Sequence, residues 1–105
     1  MKVFISQPMS GKTNEEIIAR RKEIIEMIEN KYLNENISFV YSIIEDEPSN
    51  DTPYKPVWYL GDSIKKLATA TLAYFDKGWQ KARGCCIEHD VCELYKIPIT
   101  DWTNF

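Results

Sequence analysis

The feature that most constrains the fold is the alternation of short apolar runs with longer helix-forming segments along the 105 residues. Runs rich in β-branched and aromatic residues predict four strands, at 2–6, 37–44, 71–75 and 97–100. Apolar residues at helical spacing predict three helices between them, at about 14–31, 58–68 and 82–95. Strands that alternate with helices favour a parallel sheet with right-handed crossovers. The sequence therefore predicts a small doubly wound α/β fold, a Rossmann- or flavodoxin-like three-layer sandwich with four or five parallel strands.

The first helix has the clearest start signal. Thr13 with Glu16 three residues later forms a capping box, and isoleucines then recur on one helical face, at 17, 18, 24, 25 and 28. The polar stretch 45–56, which holds three prolines, is typical of a loop. In a doubly wound sheet, ligands bind beyond the carboxyl ends of the strands, so residues 6–11, 76–83 and this loop form the expected binding edge.

The length and net charge of the chain limit the number of domains and the kinds of partner expected. A chain of this length buries one modest core, which predicts a single domain over 1–105. The net charge of −3 comes from interspersed acidic and basic residues, so a nucleic-acid polymer is not expected as a partner. No apolar run is long enough for a secretory signal or a membrane span, which predicts a cytoplasmic protein. The three cysteines fall in one short segment and are expected to be reduced.

Two motifs are similar to known phosphate-binding and metal-binding sites. The loop from Ser6 to Thr13 ends in Gly-Lys-Thr, and Leu72–Asp76 has a Walker-B-like ending, as in phosphate-binding P-loop proteins. Ser6 replaces the leading glycine, however, and Pro8 lacks the N–H that such a loop needs, so a strand-to-helix turn is favoured. Amides near Ser10 and Gly11 still offer a place for one phosphate or a sugar hydroxyl.

Three possible zinc ligands, Cys85, His89 and Cys92, share one face of the third helix. A structural zinc site uses four ligands, usually brought from two separate segments, and this sequence has no further histidine or cysteine outside the helix. The favoured interpretation is that the two cysteines pack against the sheet while His89 is solvated or hydrogen-bonded. No metal or other cofactor is expected.

Two stretches carry a resemblance to a known family: VFISQPMSG at 3–11 and GWQKARGCCIE at 78–88. They resemble the nucleoside 2-deoxyribosyltransferase-like superfamily, and most closely its small bacterial and phage members, with the same order of elements over nearly the whole chain. In that superfamily a glutamate four residues after a glycine, near the start of the third helix, is the nucleophile. Gly84 and Glu88 match this spacing. The helix macrodipole is expected to keep the Glu88 carboxylate ionised.

The resemblance implies cleavage of the N-glycosidic bond of a 2-deoxyribonucleoside or its 5′-monophosphate. Glu88 would form a covalent deoxyribosyl intermediate, which water or a second base resolves with retention of configuration. Asp62 is expected to assist it. A planar base is expected to stack on Trp79, with Trp58 and Tyr59 as further candidates. The residues expected to bind substrate are Ser6, Gln7, Pro8, Met9, Gly11, Gly78, Trp79, Arg83 and Gly84.

The sequence departs from the catalytic members at several positions. Phe4 stands where a tyrosine often supports the nucleophile, and Thr71 stands where an aspartate precedes the third strand. The aspartate that handles the sugar aligns with Ser63, and a shift of one residue would recruit Asp62 instead. Ala82 replaces a serine that contacts a 5′-phosphate. These losses keep a second hypothesis open, a non-catalytic nucleotide-binding module in which Arg83 grips phosphate.

The superfamily's members assemble as dimers or larger oligomers, so a homodimer or larger homo-oligomer is expected. The aromatic tail at 101–105 agrees with this, because such a tail needs cover from its own sheet or from a partner.

Overall fold

The computed structural model describes residues 1–40 and 46–105. It contains four strands, β1 (Lys2–Ser6), β2 (Ser38–Val40), β3 (Leu72–Phe75) and β4 (Ile99–Asp101). It also contains three helices, α1 (Asn14–Lys31), α2 (Lys55–Leu67) and α3 (Arg83–Tyr95), and short 3₁₀ turns at Trp79–Lys81 and Trp102–Asn104. All strand pairs are parallel, so the predicted α/β doubly wound class is confirmed, with four strands among the described residues.

The order of strands across the sheet is β2-β1-β3-β4. The chain first moves outward from β1 to β2 and then crosses back to β3 on the other side of β1. The strand order therefore reverses between β1 and β3, and in such sheets ligands bind at the carboxyl ends of the strands that flank this switch point. Here those ends are Ser6 of β1 and Phe75 of β3, which are paired in register.

Each face of the sheet has its own core. On one face, Val3, Ile5 and Tyr74 pack against Ile24 and Ile28 of α1. On the other face, a second buried cluster brings strand residues together with one residue each from α2 and α3: Phe4, Ala73, Phe75, Leu67 and Cys92. Alternate residues of β1 thus point to opposite faces, as the period of a strand requires. The result is a layer of α1, a layer of sheet and a layer formed by α2 and α3.

Helix α1 begins and ends at the predicted residues, and its capping box is present. The Thr13 hydroxyl accepts from Glu16 N at 3.1 Å, and the Glu16 carboxylate accepts from Thr13 N at 3.3 Å. The isoleucine face is only partly as predicted, because Ile24 and Ile28 are buried whereas Ile18 is exposed.

Removal of the cap is expected to destabilise the fold modestly. Thr13→Ala should lower the free energy of unfolding by about 1 kcal/mol, because it leaves first-turn N–H groups without their acceptor. Urea denaturation measures this, and Thr13→Ser is the matched control because it keeps the hydroxyl. Equal stability of the alanine variant and the unchanged protein would contradict this role of the cap.

Several element boundaries differ from the prediction by one to three residues. Strand β2 covers Ser38–Val40, and the remainder of the predicted strand, 41–44, lies outside the described residues, as does Glu45. Helix α2 begins at Lys55, so Pro56 belongs to its first turn, where a missing N–H costs nothing. The last strand begins at Ile99, because Lys96 caps α3 in a left-handed conformation and Ile97 N bonds back to Cys92 O.

The C-terminal tail folds back onto the α1 face of the same chain. The Phe105 ring lies edge-on to Tyr74 at 5.5 Å, and Lys31 Nζ lies 4.5 Å from the Phe105 ring centre and donates to Asn104 O. The tail therefore has partial cover from its own chain, although Trp102 and Phe105 remain exposed, and the homo-oligomer stays a prediction. None of the described helices combines the length and apolar character needed to cross a bilayer.

Candidate functional site

A cavity of about 390 Å³ opens at the carboxyl end of β1, beside the switch point of the sheet. Its walls come from three parts of the chain, which are the end of β1 with the following loop, one side of α2, and the beginning of α3. The lining residues are 4–10, Tyr59, Leu60, Ser63, 81–85 and Glu88. The binding edge expected from the strand order is therefore concave and is formed by residues distant in sequence.

Glu88 projects from the second turn of α3 into the wall of this cavity. The residue is only 6% exposed, although a carboxylate is rarely buried without a charged partner. Both of its oxygens accept hydrogen bonds from hydroxyl groups: Ser6 Oγ donates to Oε1 at 2.8 Å and Ser63 Oγ donates to Oε2 at 2.5 Å. Helix α3 is thus joined to the central strand and to α2 through a single carboxylate.

The protonation of Glu88 is governed by opposing effects. Burial raises the pKa of the carboxyl above its ordinary value, and the hydrogen bonds from Ser63 and Ser6 lower it in part. The net direction is upward, whereas the position near the helix start predicts a carboxylate kept ionised by the macrodipole. Among the described residues no lysine or arginine forms an ion pair with Glu88. Hydroxyl donors, rather than a cation, therefore stabilise its charge.

The structure places Ser63, rather than Asp62, beside Glu88. Asp62 does not line the cavity, and its carboxylate lies 3.2 Å from Lys66 Nζ one turn along α2. Successive residues of a helix point about 100° apart, so only one of the two can face α3. The expectation that Asp62 assists Glu88 thus gains no support from the geometry, and the aligned position, Ser63, makes the contact.

The predicted substrate-binding residues separate into two groups. Six of them line the cavity together with Glu88: Ser6, Gln7, Pro8, Met9, Arg83 and Gly84. Helix α1 holds Gln7 in place, because the Gln7 amide donates to Ile17 O at 2.9 Å and accepts from Arg21 Nε at 3.3 Å. The two stretches on which the family resemblance rests therefore both contribute to the lining of the cavity.

The other three predicted binding residues lie outside the cavity. Trp79 stacks on His89 with ring centres 4.1 Å apart and also packs against Phe75, so the packing interpretation of this residue is the one observed. Gly78 and Gly11 adopt left-handed backbone conformations, with φ of 87° and 77°. Both glycines turn the chain, because glycine adopts the left-handed conformation without strain.

Comparisons with protein-family models, with curated proteins and with solved structures found no match to this chain. The function of the cavity is therefore argued from its own residues.

The other acidic candidate at this edge, Asp76, is already engaged on the α1 face. Arg20 binds it through two hydrogen bonds, Nε to Oδ2 at 3.0 Å and Nη2 to Oδ1 at 2.8 Å, and Tyr74 donates to Oδ1 at 2.9 Å. Burial alone would raise the pKa of Asp76, but the hydrogen bonds from Arg20 and Tyr74 hold it below its usual range. The start of α1 is also occupied, because Thr13 and Glu16 cap it. A P-loop needs a free Walker-B carboxylate and an uncapped helix start, and these residues provide neither.

The cysteines of α3 have packing roles. Cys85 and Cys92 are buried free thiols, and burial raises the pKa of each to about 11. Both are therefore neutral near pH 7 and poorly suited to nucleophilic chemistry. His89 pairs with Glu93 at 2.9 Å instead of meeting the two cysteines at a metal site. Within 1–40 and 46–105, no three His, Cys, Asp or Glu side chains are grouped closely enough to hold a metal ion.

Thr71 is remote from the site. It precedes β3 at the amino end of the strands, where its hydroxyl accepts from Lys2 N at 2.8 Å and donates to Lys2 O at 3.1 Å. An aspartate at this position would not reach a cavity that lies at the carboxyl end, so its replacement by threonine takes nothing from the described site.

Apart from Tyr59, a candidate for base stacking, the lining residues outside the predicted catalytic and substrate-binding sets are Phe4, Ile5, Ser10, Leu60, Ser63, Lys81, Ala82 and Cys85. The most important omission is Ser63. Its position aligns with a functional aspartate of the resembling family, and a serine there cannot act as a carboxylate. A serine hydroxyl can, however, donate to a carboxylate, and that is the role it has here.

Proposed function

We propose that this protein acts on the N-glycosidic bond of a 2-deoxyribonucleoside or its 5′-monophosphate, and that Glu88 is the nucleophile. The observation that carries the proposal is a buried carboxylate in the wall of a cavity at the switch point, with both oxygens held by hydroxyl donors. Strained or costly arrangements of this kind concentrate at functional sites, because burial of a carboxylate without a cation does not benefit the fold. The proposal places the chain in the nucleoside 2-deoxyribosyltransferase-like superfamily.

The proposed reaction has two displacements at C1′ of the sugar. In the first, a Glu88 oxygen bonds to C1′ while the C1′–N bond breaks and its electron pair leaves with the base. In the second, water or another base attacks C1′, and the electron pair of the ester bond returns to Glu88. The proton lost by the acceptor, whether water or the incoming base, ends on the released base. Two inversions give net retention of configuration.

The walls of the cavity suit a nucleoside. The volume of about 390 Å³ falls in the range of small-molecule sites, and Pro8, Met9, Tyr59 and Leu60 supply an apolar surface for a planar base. Helix α3 starts at the same cavity without a polar capping side chain at Ala82. Its first N–H groups and the side chains of Lys81 and Arg83 favour an anionic group such as a 5′-phosphate.

One observation favours a second candidate, a nucleotide-binding module without turnover. The described lining contains a single carboxyl group, Glu88, and retaining glycosidases use a second one to protonate the leaving group. The absence of a positioned acid typically costs about 10²- to 10⁴-fold in rate. In this candidate the same cavity binds a nucleotide, and Glu88 contributes to binding alone.

The experiment that separates these functions is incubation of the purified protein with a panel of 2-deoxynucleosides and their 5′-monophosphates. Released base is followed chromatographically, with the Glu88→Gln variant in parallel. We expect release from at least one substrate by the unchanged protein only. Binding without release, measured by thermal shift with the same panel, would support the binding module, and neither release nor binding would exclude both.

Gly84 allows a specific test of the cavity. A methyl group at this position would meet only Leu60 Cδ1, at 3.9 Å, and Gly84 has no positive φ, so the fold does not require glycine there. Gly84→Ala should keep or slightly raise the free energy of unfolding, by up to about 1 kcal/mol, while it narrows the cavity beside Glu88. We expect nucleotide affinity to fall at least about tenfold by isothermal titration.

Gly61→Ala is the matched control for this prediction. Gly61 also lies in a helix, α2, with open space around it and outside the cavity lining. Its replacement should raise helix stability without affecting nucleotide affinity. Equal affinity of the Gly84 and Gly61 variants would show that position 84 does not contact the ligand.

A further inference from the structure

Ser63 is the least expected contact of Glu88. It lies on α2, 25 residues before Glu88, and its hydroxyl approaches Oε2 at 2.5 Å, closer than the approach of Ser6 to Oε1 at 2.8 Å. The two serines are bonded to different oxygens of the same carboxylate. Each oxygen has a further lone-pair direction that these two bonds leave unused.

The two hydroxyls differ in how they are held. Ser6 is a buried residue of the central strand β1, whereas Ser63 belongs to α2 and is only partly buried. In the half of α2 that precedes Ser63, from Lys55 to Asp62, no residue is fully buried. The contact with Ser63 therefore fixes the carboxylate relative to the cavity wall that carries Tyr59 and Leu60.

We propose that Ser63 is the positioning residue of the site, which orients the Glu88 carboxylate toward the cavity and holds it in the ionised form. The inference rests on the proposed function, because it assigns Ser63 a role through the nucleophile. Serine at this position thus replaces the aspartate of the resembling family with a neutral donor. A second carboxylate there would repel Glu88, whereas a hydroxyl donates to it.

Among the described neighbours of Glu88, only the two serines are shown to bond to its carboxylate. From β1 it faces Phe4 and Ser6, which carry no charge, and from α2 it faces Ser63, with the phenol of Tyr59 nearby in the lining. On α3 its neighbours are the thiols of Cys85 and Cys92, which are neutral near pH 7. Lys81 and Arg83 line the same cavity, but neither forms an ion pair with Glu88 among the described contacts.

The test measures the titration of Glu88 directly, by carbon NMR of protein labelled at the glutamate side-chain carboxyl. The spectrum of Glu88→Gln identifies the resonance. Ser63→Ala should move the titration midpoint upward by about one pH unit, because a hydrogen bond to the charged form is lost. Ser63→Thr keeps the hydroxyl and should titrate close to the unchanged protein. Ser38→Ala is the control, since Ser38 is exposed on β2 and lies outside the cavity lining.

Kinetics with a substrate from the nucleotide panel gives the second readout. In Ser63→Ala the acid limb of the kcat profile should shift to higher pH with the NMR midpoint. At higher pH the maximal kcat of Ser63→Ala should stay about tenfold below that of the unchanged protein, because ionisation does not restore the orientation of the Glu88 carboxylate. KM should change little. An unchanged midpoint and plateau in Ser63→Ala, or equal effects of Ser63→Ala and Ser38→Ala, would overturn the role of Ser63. Absence of turnover in the unchanged protein would instead reject the proposed function, and NMR would still decide whether Ser63 controls Glu88.

Discussion

Glu88→Gln should abolish base release, with a loss of at least about 10³-fold, while the protein remains folded and at least as stable as before at neutral pH. An amide oxygen is a poor nucleophile, so the first displacement cannot occur. The fold tolerates the change because glutamine has the same shape. One serine still donates to the amide oxygen, and the other hydroxyl turns to accept from the amide nitrogen.

The pH dependence of stability sharpens this prediction. Burial raises the folded-state pKa of Glu88 above the ordinary value of 4.5, so the folded protein binds this proton more tightly than the unfolded chain. The stability that the group contributes is present below about that value and is lost as the pH rises through the folded-state pKa. Glu88→Gln removes this loss, so its stability relative to the unchanged protein should increase from pH 4 to pH 8.

Urea denaturation at several pH values, together with the base-release assay, measures both effects. Glu93→Gln is a control on the same helix, because Glu93 is exposed and pairs only with His89 among the described contacts. Release by Glu88→Gln at the rate of the unchanged protein would reject the nucleophile. A large loss of stability in Glu88→Gln at pH 8 would show that the charge of Glu88 supports the fold instead.

Arg20→Ala should produce the largest loss of stability among the variants considered, about 3 kcal/mol at pH 7. The substitution leaves the Asp76 carboxylate, whose side chain is 3% exposed, without the guanidinium that binds both of its oxygens. Removal of one partner of a buried pair is costly because the other charge stays buried. The bond from Tyr74 alone does not compensate for it.

The effect of Arg20→Ala should depend on pH in a defined direction. Asp76 has a lowered pKa in the folded protein, so its contribution is present above the ordinary value of 3.8 and is lost as the pH falls through the folded-state pKa. In the variant the buried carboxyl accepts a proton more readily, and the difference from the unchanged protein should shrink between pH 7 and pH 4. Urea denaturation at the two pH values measures this.

Glu23→Gln is the matched control, because it removes the exposed partner of Arg20 and leaves Asp76 paired. It should change the free energy of unfolding by no more than about 0.5 kcal/mol. Equal losses in Arg20→Ala and Glu23→Gln, or a loss in Arg20→Ala that does not vary with pH, would contradict the buried pair.

The fold was predictable where local chemistry alone sets the structure. The capping box of Thr13 and Glu16 and the isoleucine spacing placed α1 at its observed bounds. The start of β4 was not predictable from apolar residues, because the left-handed cap at Lys96 and the bond from Ile97 to Cys92 are decided by tertiary packing. The order of strands depends on contacts between distant segments, and no local pattern specifies it.

The site was predictable only where residues close together in sequence determine it. The spacing of Gly84 and Glu88 lies within one helix, so the sequence placed both at the start of α3. Whether Asp62 or Ser63 meets Glu88 depends on the rotation of α2 about its axis, which tertiary packing fixes. The raised pKa of Glu88 could not be predicted from the sequence either, because the burial that raises it depends on how distant segments pack around the carboxylate.

The most direct test of the central claim is peptide mass mapping of the protein after rapid acid quench with a nucleoside analogue that carries fluorine at C2′. The fluorine slows breakdown of a glycosyl ester by destabilising the oxocarbenium-like transition state. Glu88 as nucleophile predicts a peptide containing residue 88 whose mass is increased by one fluorinated sugar, and predicts no such peptide from Glu88→Gln. Release of base with residue 88 unmodified, or with the sugar on another residue, would contradict the claim.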